Sequence, residues 1–347
     1  MTMTAPSLAT IIDRYALSAA VIVGALGFRL FRHLTPLLPP MIFLMLFFTF
    51  CKVNPLDLRL HRWHFTALAF QLVLAFGSWA LLTWLGSLCP SLDNPVVAQS
   101  LMLCFLMPTA TAAPIIAGKL GGSIQNLTTF TLLSNFATAV VVPLFFPLVN
   151  PVADMTFWTA AMLILRKVGP LLLGPFFAAW CLRLVYDFWP SNRRAGRTFT
   201  LSHAVAQFPF YIWVGTVVIL MGDIVWSLLT QPAGFWTLFL LSLGAVFSCL
   251  LQFRLGRLIG QRWPAGSHGQ DYQDVVINPD TAPRTPAAIS RVTAGQALGQ
   301  KNTTLAIWMA QTYLLPLVAI GPAAYIVVQN LFNSAQLNRA ARPHSRQ

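Results

Sequence analysis

The sequence predicts an all-α polytopic membrane protein: ten transmembrane helices forming two inverted five-helix repeats, with the fourth and ninth helices discontinuous and crossing at the midplane. Three observations predict it. Of the 347 residues 56% are hydrophobic and only 9% charged, with 26 Phe and 11 Trp, more apolar surface than a soluble chain of this length can hide from water. Ten windows reach the roughly 17 to 25 mostly apolar residues that a span needs. Two of those windows, in matching positions of the two halves, are interrupted by Pro, Gly and polar residues, the pattern that discontinuous helices leave in a carrier of inverted repeats.

The windows run 15–32, 36–53, 64–86, 95–119, 124–148, 157–186, 203–224, 233–258, 288–310 and 312–335. The first starts at Tyr15; it is too long for a removable signal peptide and lacks a small-residue cleavage site. Pro36, Pro39 and Pro40 make the start of the second irregular. The fourth carries Met107-Pro108-Thr109-Ala110-Thr111-Ala112-Ala113-Pro114 in its middle. The seventh ends near Asp223, read as an interfacial residue rather than a proton relay. A polar loop over 259–288, with Asp271, Asp274, Asp280, Pro279, Pro283 and Pro286, connects the eighth and ninth. The ninth contains Gly295, Gly299 and the polar run Gln300-Lys301-Asn302-Thr303-Thr304.

Positive loops stay on the cytoplasmic side. With the N-terminus inside, the cytoplasmic segments hold Arg14, Lys52, Arg59, Arg62, Lys119, Arg183, Arg193, Arg194, Arg197, Arg254, Arg257, Arg262, Arg284, Arg291, Arg339, Arg342 and Arg346, against Arg29 and Arg32 outside. Both termini are therefore expected in the cytoplasm of a cell-membrane protein, which requires an even number of spans. Ten spans divide into repeats over 1–150 and 151–347, and five being odd, the two halves cross in opposite senses.

Composition also excludes. A net charge of +13 would point to nucleic acid in a soluble protein, but here the basic residues sit between apolar runs with no nucleic-acid-binding motif among them. The chain has no Glu, and all nine acids are Asp. Cys51, Cys89, Cys104, Cys181 and Cys249 are scattered, without a CxxC pair or a His partner at metal spacing, and read as packing residues. No cofactor is expected.

Lys301 is the sharpest single feature. A charge deep in a span costs at least about 2.5–3.5 kcal/mol at the bilayer centre and by default marks function. As a tethered cation it would attract an anionic substrate at the crossing of the two breaks. In a stronger form the amine releases and regains a proton, because removal from water disfavours its charged state. The plain alternative has the ninth span starting later, with Lys301 snorkelling to water at its end. Thr109, Thr111, Asn302, Thr303 and Thr304 offer hydroxyl and amide groups at the breaks, where half-helix N-termini suit an anion. Threonines bonded to carbonyls of their own helix explain each of them alone as well. Gln71, Thr128, Thr131 and Asn135 are further lining candidates, for which interhelical hydrogen bonding is an equal reading.

At these residues the chain resembles the bile acid:sodium symporter superfamily. That family carries Glu-x-Gly-x-Gln-Asn-x-x-Leu in its ninth span, and Gly299-Gln300-Lys301-Asn302-Thr303-Thr304-Leu305 follows it at Gly, Asn and Leu. Tyr325-Ile326-Val327-Val328-Gln329-Asn330-Leu331-Phe332-Asn333-Ser334 is similar to the family's tail, Met107 to Ala112 to its Pro-Gly-Gly-Thr-Ala-Ser crossover, and Leu44-Met45-Leu46 to Asp57 to its second span and loop. Gln71 falls where the family places a third-span Gln near sodium. The resemblance implies a panel of spans 1, 2, 6 and 7 beside a core of spans 3–5 and 8–10, alternating access, and an organic anion as substrate. The chain departs from the family at the sodium ligands. The ninth-span Glu aligns with Ala297, the Gln with Lys301, and the fourth-span Ser-Asn pair with Ala113-Pro114.

The function expected is secondary transport of a small organic anion, bile-acid-like or a small carboxylate, by a protein working as a monomer in the bilayer, with Lys301 in sodium's place. The alternative is a proton-coupled or uncoupled exporter of another solute. An enzyme would need a nucleophile and base or two acids at one depth, which the spans do not offer, and a thirty-residue loop is too short for a sensor's output domain.

Overall fold

The computed structural model describes residues 16, 19–53, 58–189, 199, 203–231, 233–264 and 285–340. Most of the polar loop 259–288, with its three aspartates, and both chain ends lie outside them. Described residues 19–26 are helical and lead through a short helix, Phe28–Phe31, and a 3-10 helix, Arg32–Leu37, into α1, Leu38–Phe50. There follow α2 (Arg62–Leu88), α3 (Pro95–Leu106), α4 (Ala113–Lys119), α5 (Ile124–Val149), α6 (Phe157–Phe188), α7 (His203–Thr230), α8 (Phe235–Arg262), α9 (Pro286–Gly299), α10 (Thr303–Tyr313) and α11 (Ile320–Ala340).

The protein is an all-α polytopic membrane protein. Seven helices among the described residues are long and apolar enough to cross a bilayer: Phe28–Phe50, Arg62–Leu88, Ile124–Val149, Phe157–Phe188, Phe208–Thr230, Phe235–Arg262 and Pro316–Ala340. Windows 95–119 and 288–310 contain no continuous helix. At 1.5 Å per residue, α3 and α10 are each only about 17–18 Å long, and each stretch of the chain reaches further only through its break. Pro36 falls within the 3-10 helix and Pro39 and Pro40 at the start of α1, so the irregular start of the second window is a tightened helical turn.

The chain divides into two compact units: residues 1–52 with 174–233, and residues 53–173 with 234–347. The division falls inside α6, at Gly174. In the first unit α1 packs on α7. Phe48 meets Phe208 edge-on at 5.6 Å, Phe50 meets Phe176 edge-on at 5.8 Å, and the Arg32 guanidinium lies 3.7 Å above the Trp226 ring.

The second unit is organised by small residues. A Cβ on Gly256 would stand 2.2 Å from the Ala294 carbonyl oxygen, and one on Gly260 2.1 Å from that of Ser290. The α8 and α9 backbones thus touch, the packing that small residues permit where lipid supplies no hydrophobic drive between helices. Trp63, Ala67, Ala113, Ala117, Leu127, Phe130, Ala294, Ala297 and Leu298 form one buried cluster, and Cys104, Ala245, Cys249, Phe253 and Tyr325 another. At one end His64 fixes the start of α2. Its Nδ1 accepts from the His61 N–H at 2.9 Å, so its Nε2 carries the proton and donates to the Asn126 carbonyl at 3.0 Å. Gly121, with φ 76°, turns the chain from α4 towards α5.

Candidate functional site

The two broken stretches meet in the second unit as a single backbone bridge. The Ala110 N–H donates to the Gln300 carbonyl at 2.9 Å and the Asn302 N–H to the Pro108 carbonyl at 2.8 Å, pairing Thr109 with Lys301 in an antiparallel bridge. Pro108 cannot donate and disfavours a helical conformation at Met107 before it, so the helix stops there. On the other stretch Asn302 caps α10, its Oδ1 accepting from the Leu305 N–H at 3.2 Å.

Backbone groups that leave their helices must be satisfied where water is absent. Gln71 Nε2 donates to the Leu106 carbonyl at 2.8 Å and the Met107 carbonyl at 3.1 Å, closing the end of α3. The Thr109 hydroxyl donates to the Ala297 carbonyl at 2.7 Å, and its N–H to Ser134 Oγ at 3.2 Å. The Tyr325 hydroxyl donates to the Gly299 carbonyl at 2.8 Å and accepts from Gln252 Nε2, which also reaches the Cys104 carbonyl at 3.1 Å. Gln329 Oε1 takes the Lys301 N–H at 3.0 Å.

Against this closed backbone several side-chain groups stand open, Gln252 Oε1 among them. Lys301 is 1% exposed, and its Nζ has no hydrogen-bond partner. Asn302 Nδ2 and Gln71 Oε1 are likewise buried and unpaired. Lys301 lies between α9 and α10, and its side chain is enclosed rather than extended to the surface. Thr303 and Thr304 are buried in the first turn of α10, and Thr111 lies half-buried in the first break.

The remaining candidates fall differently. Thr128 and Thr131 donate to the carbonyls of Ile124 and Leu127 in their own helix, at 2.7 and 3.0 Å, rather than across to another helix. Asn135 Nδ2 is taken by the Thr131 carbonyl, leaving its Oδ1 buried and unpaired. Sequence reasoning missed Ser134 and Gln252, and gave no role to Tyr325 and Gln329. Gln252 had a signal, being an amide inside a mostly apolar window. Ser134 had none beyond its place beside Asn135.

A cavity of about 250 Å³ lies elsewhere in the unit, lined by Trp79, Thr83, Asp93, Asn94, Gln99 and Val149 among others; neither break lines it. No protein-family model and no curated protein matches the chain.

Proposed function

We propose that the protein is a secondary transporter of a small organic anion, working by alternating access around the crossing of the two breaks. The observation that carries the reading is the enclosed, unpartnered Lys301 amine beside the backbone bridge. An unpaired buried charge is expensive, and an arriving carboxylate would supply the missing partner. Asn302 Nδ2 is a second free donor at the same break. The ten-span inverted repeat, with both termini cytoplasmic, and membership of the bile acid:sodium symporter superfamily belong to this proposal.

Sodium fits the donors poorly. A hard cation takes oxygen ligands, usually with a carboxylate among them. Ala297 and Lys301 stand where the family's acid and amide would be. The carbonyls of Leu106, Met107, Pro108, Ala297, Gly299 and Gln300 each already accept a hydrogen bond. The proposal therefore has Lys301 in the place of the ion. The proton-coupled or uncoupled exporter is the second reading, favoured by the same amine, which can carry a proton.

Uptake of labelled organic anions into proteoliposomes, with and without sodium and with an imposed pH gradient, tests both. Flux without sodium that disappears in Lys301→Ala is expected; dependence on external sodium, or unchanged flux in the variant, overturns the role of Lys301. A pH-gradient requirement selects the proton-coupled form.

A further inference from the structure

Away from the breaks, the ends of α8, α9 and α11 gather a second group of cations. Arg257 Nη2 donates to Gln336 Oε1 at 2.7 Å, and the Arg257 guanidinium carbon lies 5.3 Å from the Phe332 ring centroid. Gln296 Nε2 donates to the same Gln336 oxygen at 3.3 Å. Two donors on Oε1 fix which way this amide points, and they leave its Nε2 buried with no partner. Arg291 precedes by four residues Gly295, on which a Cβ would lie 2.7 Å from Arg257 Cγ, and Arg339 follows Gln336 by three, so each stands about one helical turn from a contact of Arg257 on the neighbouring helix. Both are exposed, Arg291 on α9 and Arg339 in the last turn of α11. A cytoplasmic bias of arginine accounts for basic residues at this end. It does not account for one of them being anchored on a half-buried amide and an aromatic ring.

Guanidinium groups match the paired oxygens of phosphate, and an anion among several of them relieves their mutual repulsion. We propose that Arg257, Arg291 and Arg339, with the spare donor of Gln336, form a binding site for a phosphate-type anion, either free phosphate or the headgroup of an anionic lipid. Three helices contribute to the site, so its ligand ties their ends together. Gln336 is also linked through Gln296 to Gln300, the neighbour of Lys301, so the tie bears on the second break. The site itself does not depend on the transport reading.

The full-length protein in neutral detergent is titrated with inorganic phosphate and, separately, with phosphatidylglycerol in mixed micelles. The thermal unfolding midpoint is followed in both, and native mass spectrometry counts retained lipid. Free phosphate as ligand gives a midpoint rise in the first titration; a lipid headgroup gives retained phosphatidylglycerol and a rise confined to the second. Either supports the site if the half-saturating concentration increases about tenfold or more in Arg257→Gln/Arg291→Gln/Arg339→Gln and is unchanged in Arg254→Gln, an exposed arginine of the same helix. Should the triple variant not fold, Arg291→Gln/Arg339→Gln, which changes only exposed side chains, carries the test. No anion-dependent rise in the native chain, or the same rise in the variants, overturns the proposal. Lys301→Ala should bind as the native chain does, which separates this outcome from that of the transport test.

Discussion

A lysine enclosed without a partner opposes folding, so its removal separates stability from function. Methionine has nearly the length of lysine and no charge to desolvate. Lys301→Met is expected to raise the thermal unfolding midpoint while abolishing anion flux, the trade seen where a destabilising group is kept for activity. A variant that loses both would make Lys301 a structural residue and sink the functional assignment. Single residues also differ in reactivity. Cys51, just after the Phe28–Phe50 span, is 2% exposed. Burial pushes its thiol pKa up, partly opposed by the nearby Arg183 guanidinium. A raised pKa means less thiolate at any given pH, and the thiolate is the nucleophile. Labelling by a maleimide at pH 8 should therefore be far slower at Cys51 than at the exposed Cys89, and the gap should narrow as pH rises. Equal rates at pH 8 would contradict the burial.

Among the elements, the α8–α9 pair depends on two glycines. A Cβ on Gly256 or Gly260 would meet carbonyl oxygens of α9 at 2.2 or 2.1 Å, distances that only a shift of one helix relieves. Gly256→Ala should lower the unfolding midpoint, by a loss of about 1–3 kcal/mol, whereas Gly77→Ala, with nothing near its Cβ, should be neutral or gain up to about 1 kcal/mol of helix preference. Matching shifts in the two variants would refute the close approach. The helices themselves were readable from the sequence because apolar length is a direct constraint of the bilayer, and Pro108 and the Gln300–Thr304 run marked where two of them stop. For Gln71 interhelical hydrogen bonding is one of the two readings the sequence offers, and its bonds to the Leu106 and Met107 carbonyls take that form; what Tyr325 and Gln329 do was not readable. Each closes a backbone group made free by a break in another segment, so its role exists only once the segments have crossed. Thr128 and Thr131 carried the same type of signal as Thr109, but their hydroxyls turn back to their own helix; residue type alone does not tell these apart.

For the whole molecule, the open question is which way it faces, and the two ends of the second unit differ enough to argue it. One end collects Asp93, Asn94, Gln99, Asn150 and Leu315: Asn150 Nδ2 donates to the Tyr313 carbonyl at 3.0 Å, and the Leu315 N–H to Gln99 Oε1 at 3.4 Å. Its connecting segments, 89–94, 150–156 and 314–319, contain no Lys or Arg. The starts of α2, α5 and α9 meet at the other end, where His64 holds Asn126 and the Ser123 N–H donates to Thr293 Oγ1 at 2.9 Å. Arg59, Arg62, Lys119, Arg254, Arg257, Arg262, Arg291 and Arg339 belong to the same helix ends and connections. Translocating a short loop rich in Lys or Arg is disfavoured, so the second end should face the cytoplasm. Cys89 provides a native probe, since it is exposed and closes α2 at the first end. In intact cells expressing a Cys181→Ser background, a membrane-impermeant maleimide should label Cys89 without permeabilisation. A cysteine placed by Lys119→Cys should react only once the membrane is opened. The reverse pattern would turn the molecule over. It would put the arginines of α8, α9 and α11 outside, so that their ligand would come from the outer leaflet or the external solution.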